Sequence, residues 1–153
     1  MSFEIYCAHP ISGLTYDEVV SYYEGVKKEL ESYGYKVLHP MTGKKCLRTD
    51  VTERFKPANY REEVATNHAI LTRDSWMVRQ CNVLYLDLTG AKMISIGCVM
   101  ELAMAYILGK YTVVVMEDGN IHNHAFVVEA ASIVFKNSEK ALDYLKVLKE
   151  QTI

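Results

Sequence analysis

Residues 82–109 read NVLYLDLTGAKMISIGCVMELAMAYILG, and this stretch decides the fold. Asn82–Leu88 is almost wholly apolar, which predicts a parallel strand buried on both faces. Thr89–Ile94 is a loop carrying Gly90, and Ser95–Leu108 reads as a helix closed by Gly109. A buried strand feeding a helix through a short glycine-bearing loop is the repeating unit of a parallel sheet.

The rest of the chain repeats that unit. Upstream, Phe3–Ala8 is a strand ended by His9-Pro10 and Gly13. Val19, Val20, Tyr23, Val26 and Leu30 share one face of a helix over Tyr16–Tyr33, with Thr15 as its N-cap and Gly34 as its stop. Tyr35–His39 is the second strand. Arg61–Gln80 is helical, with Val64, Ile70, Leu71 and Val78 among its apolar positions. Downstream come a strand at Tyr111–Met116, a short helix near Ala125–Ala131 and a strand at Ser132–Phe135. A last helix, capped by Asn137 or Ser138, runs to about Glu150.

Five such units with right-handed crossovers predict an α/β fold: a flavodoxin-like or Rossmann-like three-layer sandwich with a five-stranded parallel sheet in the order 2-1-3-4-5. Residues 1–153 form one domain, as the length suits. Ligands in such sheets bind outside the carboxyl ends of the strands, at the switch point between strands 1 and 3. The loops His9–Leu14, Thr89–Ser95 and Glu117–His124 are therefore the ones to inspect. Met41–Tyr60 lacks a pattern and holds a basic cluster of Lys44, Lys45, Arg48, Arg54 and Lys56. An irregular stretch of that length suggests a functional or mobile loop.

Composition narrows the function. Half the residues are hydrophobic and 24% are charged, which excludes disorder as the main state. Net charge is −2, so no basic excess supports binding to a nucleic acid polymer. No apolar run is long enough to span a membrane. The opening MSFEIYCAHP lacks a charged region followed by a long apolar one, so a cytoplasmic protein is expected. Cys7, Cys46, Cys81 and Cys98 have no paired spacing and read as reduced thiols.

Glu101 lies under two turns into the helix that Ser95 starts, among Ile96, Val99, Met100, Leu102 and Met104. The helix N-terminus favours it as an anion. Spacing alone leaves two readings open: an ionised carboxylate in a cleft, fit to act as nucleophile or cation stabiliser, or a solvated partner of the helix dipole. Ser95 serves as an N-cap, and a helix N-terminus is also an anion site. Gly97 lets a ligand approach the backbone closely. Tyr6 suits a core position with a wet hydroxyl, and His9 either a base or phosphate contact or a plain loop position. His122 and His124 have metal-like spacing but no third ligand nearby, so neither a metal nor a cofactor is expected. The loops match no common nucleotide fingerprint.

Four segments together resemble the nucleoside 2-deoxyribosyltransferase family, including its 2′-deoxynucleoside 5′-phosphate N-hydrolase relatives. Residues 5–13, IYCAHPISG, are similar to the family's opening IYLAGPxxG. Asp74 through Val83 resembles its D-x6-(A/C)-D-V segment. Ser95, Gly97, Glu101, Ala105, Gly109 and Lys110 follow its (D/S)xGxxxELGxAxxxGK pattern, the most specific of the four. Asn123-His-Ala-Phe is similar to its late N-x-M segment.

The resemblance implies Glu101 as the nucleophile at the anomeric carbon. It implies Asp74 at the leaving base, Tyr6 as the residue orienting Glu101, and His9, Ser12, Gly13, Asp87, Ser95 and Gly97 around the substrate. Asn123 would reach the sugar hydroxyls of a neighbouring subunit's site, which implies a homodimer or larger homo-oligomer. The implied substrate is a small-molecule nucleoside or nucleotide. Cleavage develops oxocarbenium charge, which a preplaced carboxylate stabilises and traps, and base departure needs an acid.

Ser95 stands where the family's transferases carry Asp; an Asp there would repel a 5′-phosphate, so Ser95 points to a 5′-monophosphate. Ser12 stands where the nucleotide hydrolases keep Arg, and Asn123 is transferase-like. His9, Lys44, Lys45 and Arg48 are candidates for the missing cation. The expected activity is cleavage of the N-glycosidic bond of a 2′-deoxynucleoside or its 5′-monophosphate, with the sugar passing from Glu101 to a base or to water. A hydrolase confined to monophosphates is the alternative. From other classes, a non-catalytic nucleotide-binding module and a flavin carrier remain as competitors.

Overall fold

A computed structural model describes residues 3–45, 55 and 63–152. Arg48, Arg54, Lys56 and Cys46 lie outside the described residues, as does most of the loop expected at 41–60. The elements are β1 (Phe3–Ala8), α1 (Tyr16–Ser32), β2 (Tyr35–Leu38), a 3₁₀ turn at Glu63–Ala65, α2 (Asn67–Gln80), β3 (Val83–Asp87), α3 (Ile96–Ile107), β4 (Tyr111–Val115), α4 (Ala125–Ala130), β5 (Ile133–Phe135) and α5 (Ser138–Glu150). The five strands form one parallel sheet in the order β2-β1-β3-β4-β5, as expected.

Strand alternation sorts the core into two layers. Ile5 and Cys7 of β1, with Val83, Tyr85, Val113 and Val115, face α1 and α5 through Val19, Tyr23, Leu30, Ala141 and Leu145. Tyr6 and Ala8, with Leu84, Leu86 and Val114, face the other way, onto Met77 and Val78 of α2 and Cys98, Leu102 and Ala105 of α3. Successive side chains of a strand point to opposite faces, so this division follows directly from the sequence.

Local chemistry sets the helix ends. The Thr15 hydroxyl accepts from Glu18 N, and Glu18 reaches back to Thr15 N, closing a capping box. Gly34 takes a φ of +91° just past α1, a conformation that glycine adopts without strain. Asn137, not Ser138, caps α5 by accepting from Lys140 N.

The helix expected from Arg61 begins at Asn67 instead. Thr66 accepts from Ala69 N there, and residues 63–65 tighten into the 3₁₀ turn before it. The apolar surround expected for Glu101 is also narrower than its sequence suggests. α3 is apolar all round, but only a stripe of Cys98, Glu101, Leu102 and Ala105 is buried; Ile96, Met100 and Ile107 are exposed.

Candidate active site

A cleft of about 430 Å³ opens at the carboxyl ends of β1 and β3. The β1–α1 loop contributes His9, Ile11 and Ser12. Pro40 and Lys44 follow β2, and α2 presents Asn67, Ile70 and Asp74. The β3–α3 loop and the first turns of α3 bring Ser95, Gly97, Cys98 and Glu101. This is the switch point of the sheet, where the first crossover runs one way and the second the other.

At its floor the Tyr6 hydroxyl donates to Glu101 Oε1 across 2.7 Å. Tyr6 is in the carboxyl half of β1 on the face turned to α3, and Glu101 is on the stripe of α3 turned to the sheet. The strand's period and the helix's spacing make them meet.

The helix dipole alone predicts an ionised Glu101; burial outweighs it and pushes the carboxyl up to about 8. The Tyr6 hydrogen bond and Lys44 pull the other way, while Asp74 adds to the rise. Burial also pushes Asp74 up to about 6, against the pull of Lys44 and Arg73. Two carboxyls and one lysine thus share a poorly solvated site, and at neutral pH the two carboxyls hold one proton between them.

Lys44 is 4% exposed, with Nζ 3.8 Å from Asp74 Oδ2. Asp74 Oδ1 is buried and has no hydrogen-bond partner among the described residues, so a substrate donor would satisfy it. Gly43, just before the lysine, takes a φ of +75°, and an added Cβ there would come within 2.8 Å of Arg73 Nη1.

His9 donates Nδ1–H to the Asp87 carbonyl across 2.8 Å and stacks on Tyr22 with ring centroids 4.0 Å apart. These contacts fix its ring as one wall of the cleft.

Glu101, Asp74, His9, Ser12, Ser95 and Gly97 come together around one cavity, with Tyr6 beneath it. Three other expected contacts do not line it. Gly13, whose amide donates to the Phe55 carbonyl, holds the edge of the first loop. Asp87 is 2% exposed; its Oδ1 accepts from Thr89 N–H and O–H, and its Oδ2 accepts from Tyr22. Asn123 is exposed, outside the cavity of its own chain.

Cys98 and Ile70 line the cleft without having been singled out. Each lies about one turn before an assigned acid, so helical spacing carried the signal. Burial pushes the Cys98 thiol up, which leaves it a poor nucleophile. Among the described residues no three metal-ligating side chains converge. His122 is buried, whereas His124 is exposed and caps α4 by accepting from Phe126 N.

A sequence profile of the nucleoside 2-deoxyribosyltransferase family matches residues 5–144. The chain belongs to that family. Its members are enzymes that cleave N-glycosidic bonds, as transferases or hydrolases, and the family suggests nucleosides or nucleotides as substrates. No curated protein matches this deoxyribosyltransferase-family chain in sequence. Among solved structures, the CMP N-glycosidase BcmB of Clostridium botulinum has a similar fold, with a TM-score of 0.57 and 11% identity over 95% of this chain and 98% of that one. No helix among the described residues of the family member is long and apolar enough to cross a membrane.

Proposed function

We propose that this chain cleaves the N-glycosidic bond of a 2′-deoxynucleoside or its 5′-monophosphate by two displacements at the anomeric carbon. The observation that carries the reading is the buried Tyr6–Glu101 pair in one cleft with Asp74. A Glu101 oxygen attacks C1′ as the C1′–N bond breaks. The bonding pair leaves with the base, which takes a proton from Asp74. A second base, or water, then attacks C1′ and releases Glu101, so configuration is retained. The competent form has Glu101 ionised and Asp74 protonated, and Tyr6 stabilises the anion by donating to it.

Ser95 at the start of α3 would receive the 5′ group. An uncharged side chain there accepts a monophosphate without repulsion, and the similar fold named as a CMP N-glycosidase belongs to a protein acting on a nucleotide. Of the expected cations, His9 and Lys44 line the cleft among the described residues; the ion pair of Lys44 with Asp74 puts it beside the leaving base rather than at the phosphate.

Asn123 would serve a second copy of the chain. Its exposure, with exposed Ile96, Met100, Ile107 and Phe126 on α3 and α4, suits a homodimer formed through these helices.

The deciding experiment is base release from a panel of deoxynucleosides and their 5′-monophosphates, each with and without a free acceptor base. Release from monophosphates without acceptor makes the protein a nucleotide hydrolase. Exchange that requires an acceptor makes it a transferase. Saturable binding without any product overturns the proposal in favour of a binding module.

A further inference from the structure

His122 lies outside the cleft, yet it is 2% exposed and both its ring nitrogens are engaged. Its neighbour Asn120, 7% exposed, settles how. Asn120 Nδ2 donates to the Leu88 carbonyl across 2.7 Å and to Glu117 Oε2 across 2.8 Å. That orientation leaves Oδ1 facing His122, where it accepts the backbone N–H across 2.9 Å and lies 3.1 Å from Nδ1.

An amide oxygen can only accept, so Nδ1 carries the imidazole proton and Nε2 is bare. The bare nitrogen accepts the Ser95 N–H across 2.8 Å. A ring that accepts at Nε2 is neutral, and burial favours that form by lowering its basicity, against the pull of Glu117. At the other end of the chain, Glu117 Oε1 accepts from Gly90 N across 3.0 Å. The sequence Glu117–Asn120–His122 therefore ties the β4–α4 loop to both ends of the β3–α3 loop.

We infer that His122 is a positioning residue that holds the Ser95 end of α3 in place for the 5′ group of the substrate. The inference rests on the function proposed above and goes beyond it. Because His122 takes the Ser95 amide and the Ser95 hydroxyl is engaged with Cys98, the donors left at the helix start beside Ser95 are the Ile96 and Gly97 amides, which have no partner within the helix. All three residues line the cleft. His122 touches no substrate; it sets where these donors stand.

The test compares His122→Gln and His122→Asn with the wild type on two substrates, a 2′-deoxynucleoside 5′-monophosphate and a 2′,5′-dideoxynucleoside. The Gln amide oxygen reaches about as far as Nε2 and accepts from Ser95 N; the shorter Asn does not. Loss of one such hydrogen bond raises KM for the monophosphate about 2–10-fold in the Asn variant, with kcat little changed. The Gln variant recovers most of that loss, and the 5′-deoxy substrate responds to neither change.

Equal losses on both substrates, or no loss at all, overturn the inference. So does a ¹⁵N spectrum showing the proton on Nε2 of His122. If the wild type releases no base, the proposed function fails separately. Calorimetric binding of the monophosphate then decides: weaker binding to the Asn variant sustains the role of His122, and equal or absent binding removes it.

Discussion

The Tyr6 hydroxyl donates to Glu101 Oε1 across 2.7 Å although 95 residues separate them in the chain. The bond favours the ionised carboxylate, the form proposed to attack. Tyr6→Phe removes it and leaves the oxygen buried without a donor. Base release is expected to fall about 10–100-fold, since hydrogen bonds to charged groups are worth about 1.5–3 kcal/mol. Glu101→Ala abolishes it. Single-turnover assays of both variants check this.

Glu101 also costs stability. Its folded carboxyl sits at about 8 against an ordinary 4.5, so the folded state keeps a proton that the unfolded chain releases. Stability therefore falls as pH rises through that interval. Glu101→Gln keeps an acceptor for Tyr6 and removes the ionisable group. The variant is expected to gain about 2–3 kcal/mol at pH 7. Urea unfolding should show less gain at pH 5 than at pH 8.

The shared proton predicts a bell-shaped pH profile for kcat/KM, with limbs near about 6 and about 8 that belong to the Asp74–Glu101 pair as a unit. Lys44 pulls both groups down. Lys44→Met should move both limbs to higher pH. An unmoved profile would show that Lys44 does not act on the pair.

Ser95→Asp places a carboxylate where the 5′ group is proposed to bind. Like-charge repulsion there costs several kcal/mol, so the preference between a monophosphate and its nucleoside should shift by about 100-fold or more towards the nucleoside. Competition kinetics with the two substrates in one vessel measure the ratio.

Strands and helices with clear bounds were legible almost to the residue: β1 needed only an apolar run ended by His9-Pro10, and α3 a start at Ser95 and a stop at Gly109. The βα order pointed to the loops after β1 and β3, and so to His9, Ser12 and Ser95; Glu101 stood open on spacing alone, and Asp74 was singled out only through the family resemblance. Other features depend on contacts that no local pattern encodes. Lys44 sits in a basic cluster, and lysines are ordinarily solvated, so nothing local predicts its burial beside Asp74. Asp87, a polar residue at a strand end, looks ready for a ligand, yet Tyr22 and Thr89 take its oxygens. His122 and His124 share a metal-like spacing, but the partners of His122 are Asn120 and Ser95, the latter 27 residues away.

The two faces of β1 put Tyr6 and Cys7 in different compartments of the protein. Loss of one residue ahead of Tyr6 would turn the phenol into the α1–α5 core and leave a thiol opposite Glu101. Heritable change in β1 is thus confined to replacement of side chains. Under the proposed mechanism, its length is fixed by the place of Tyr6 as firmly as its composition is fixed by the core.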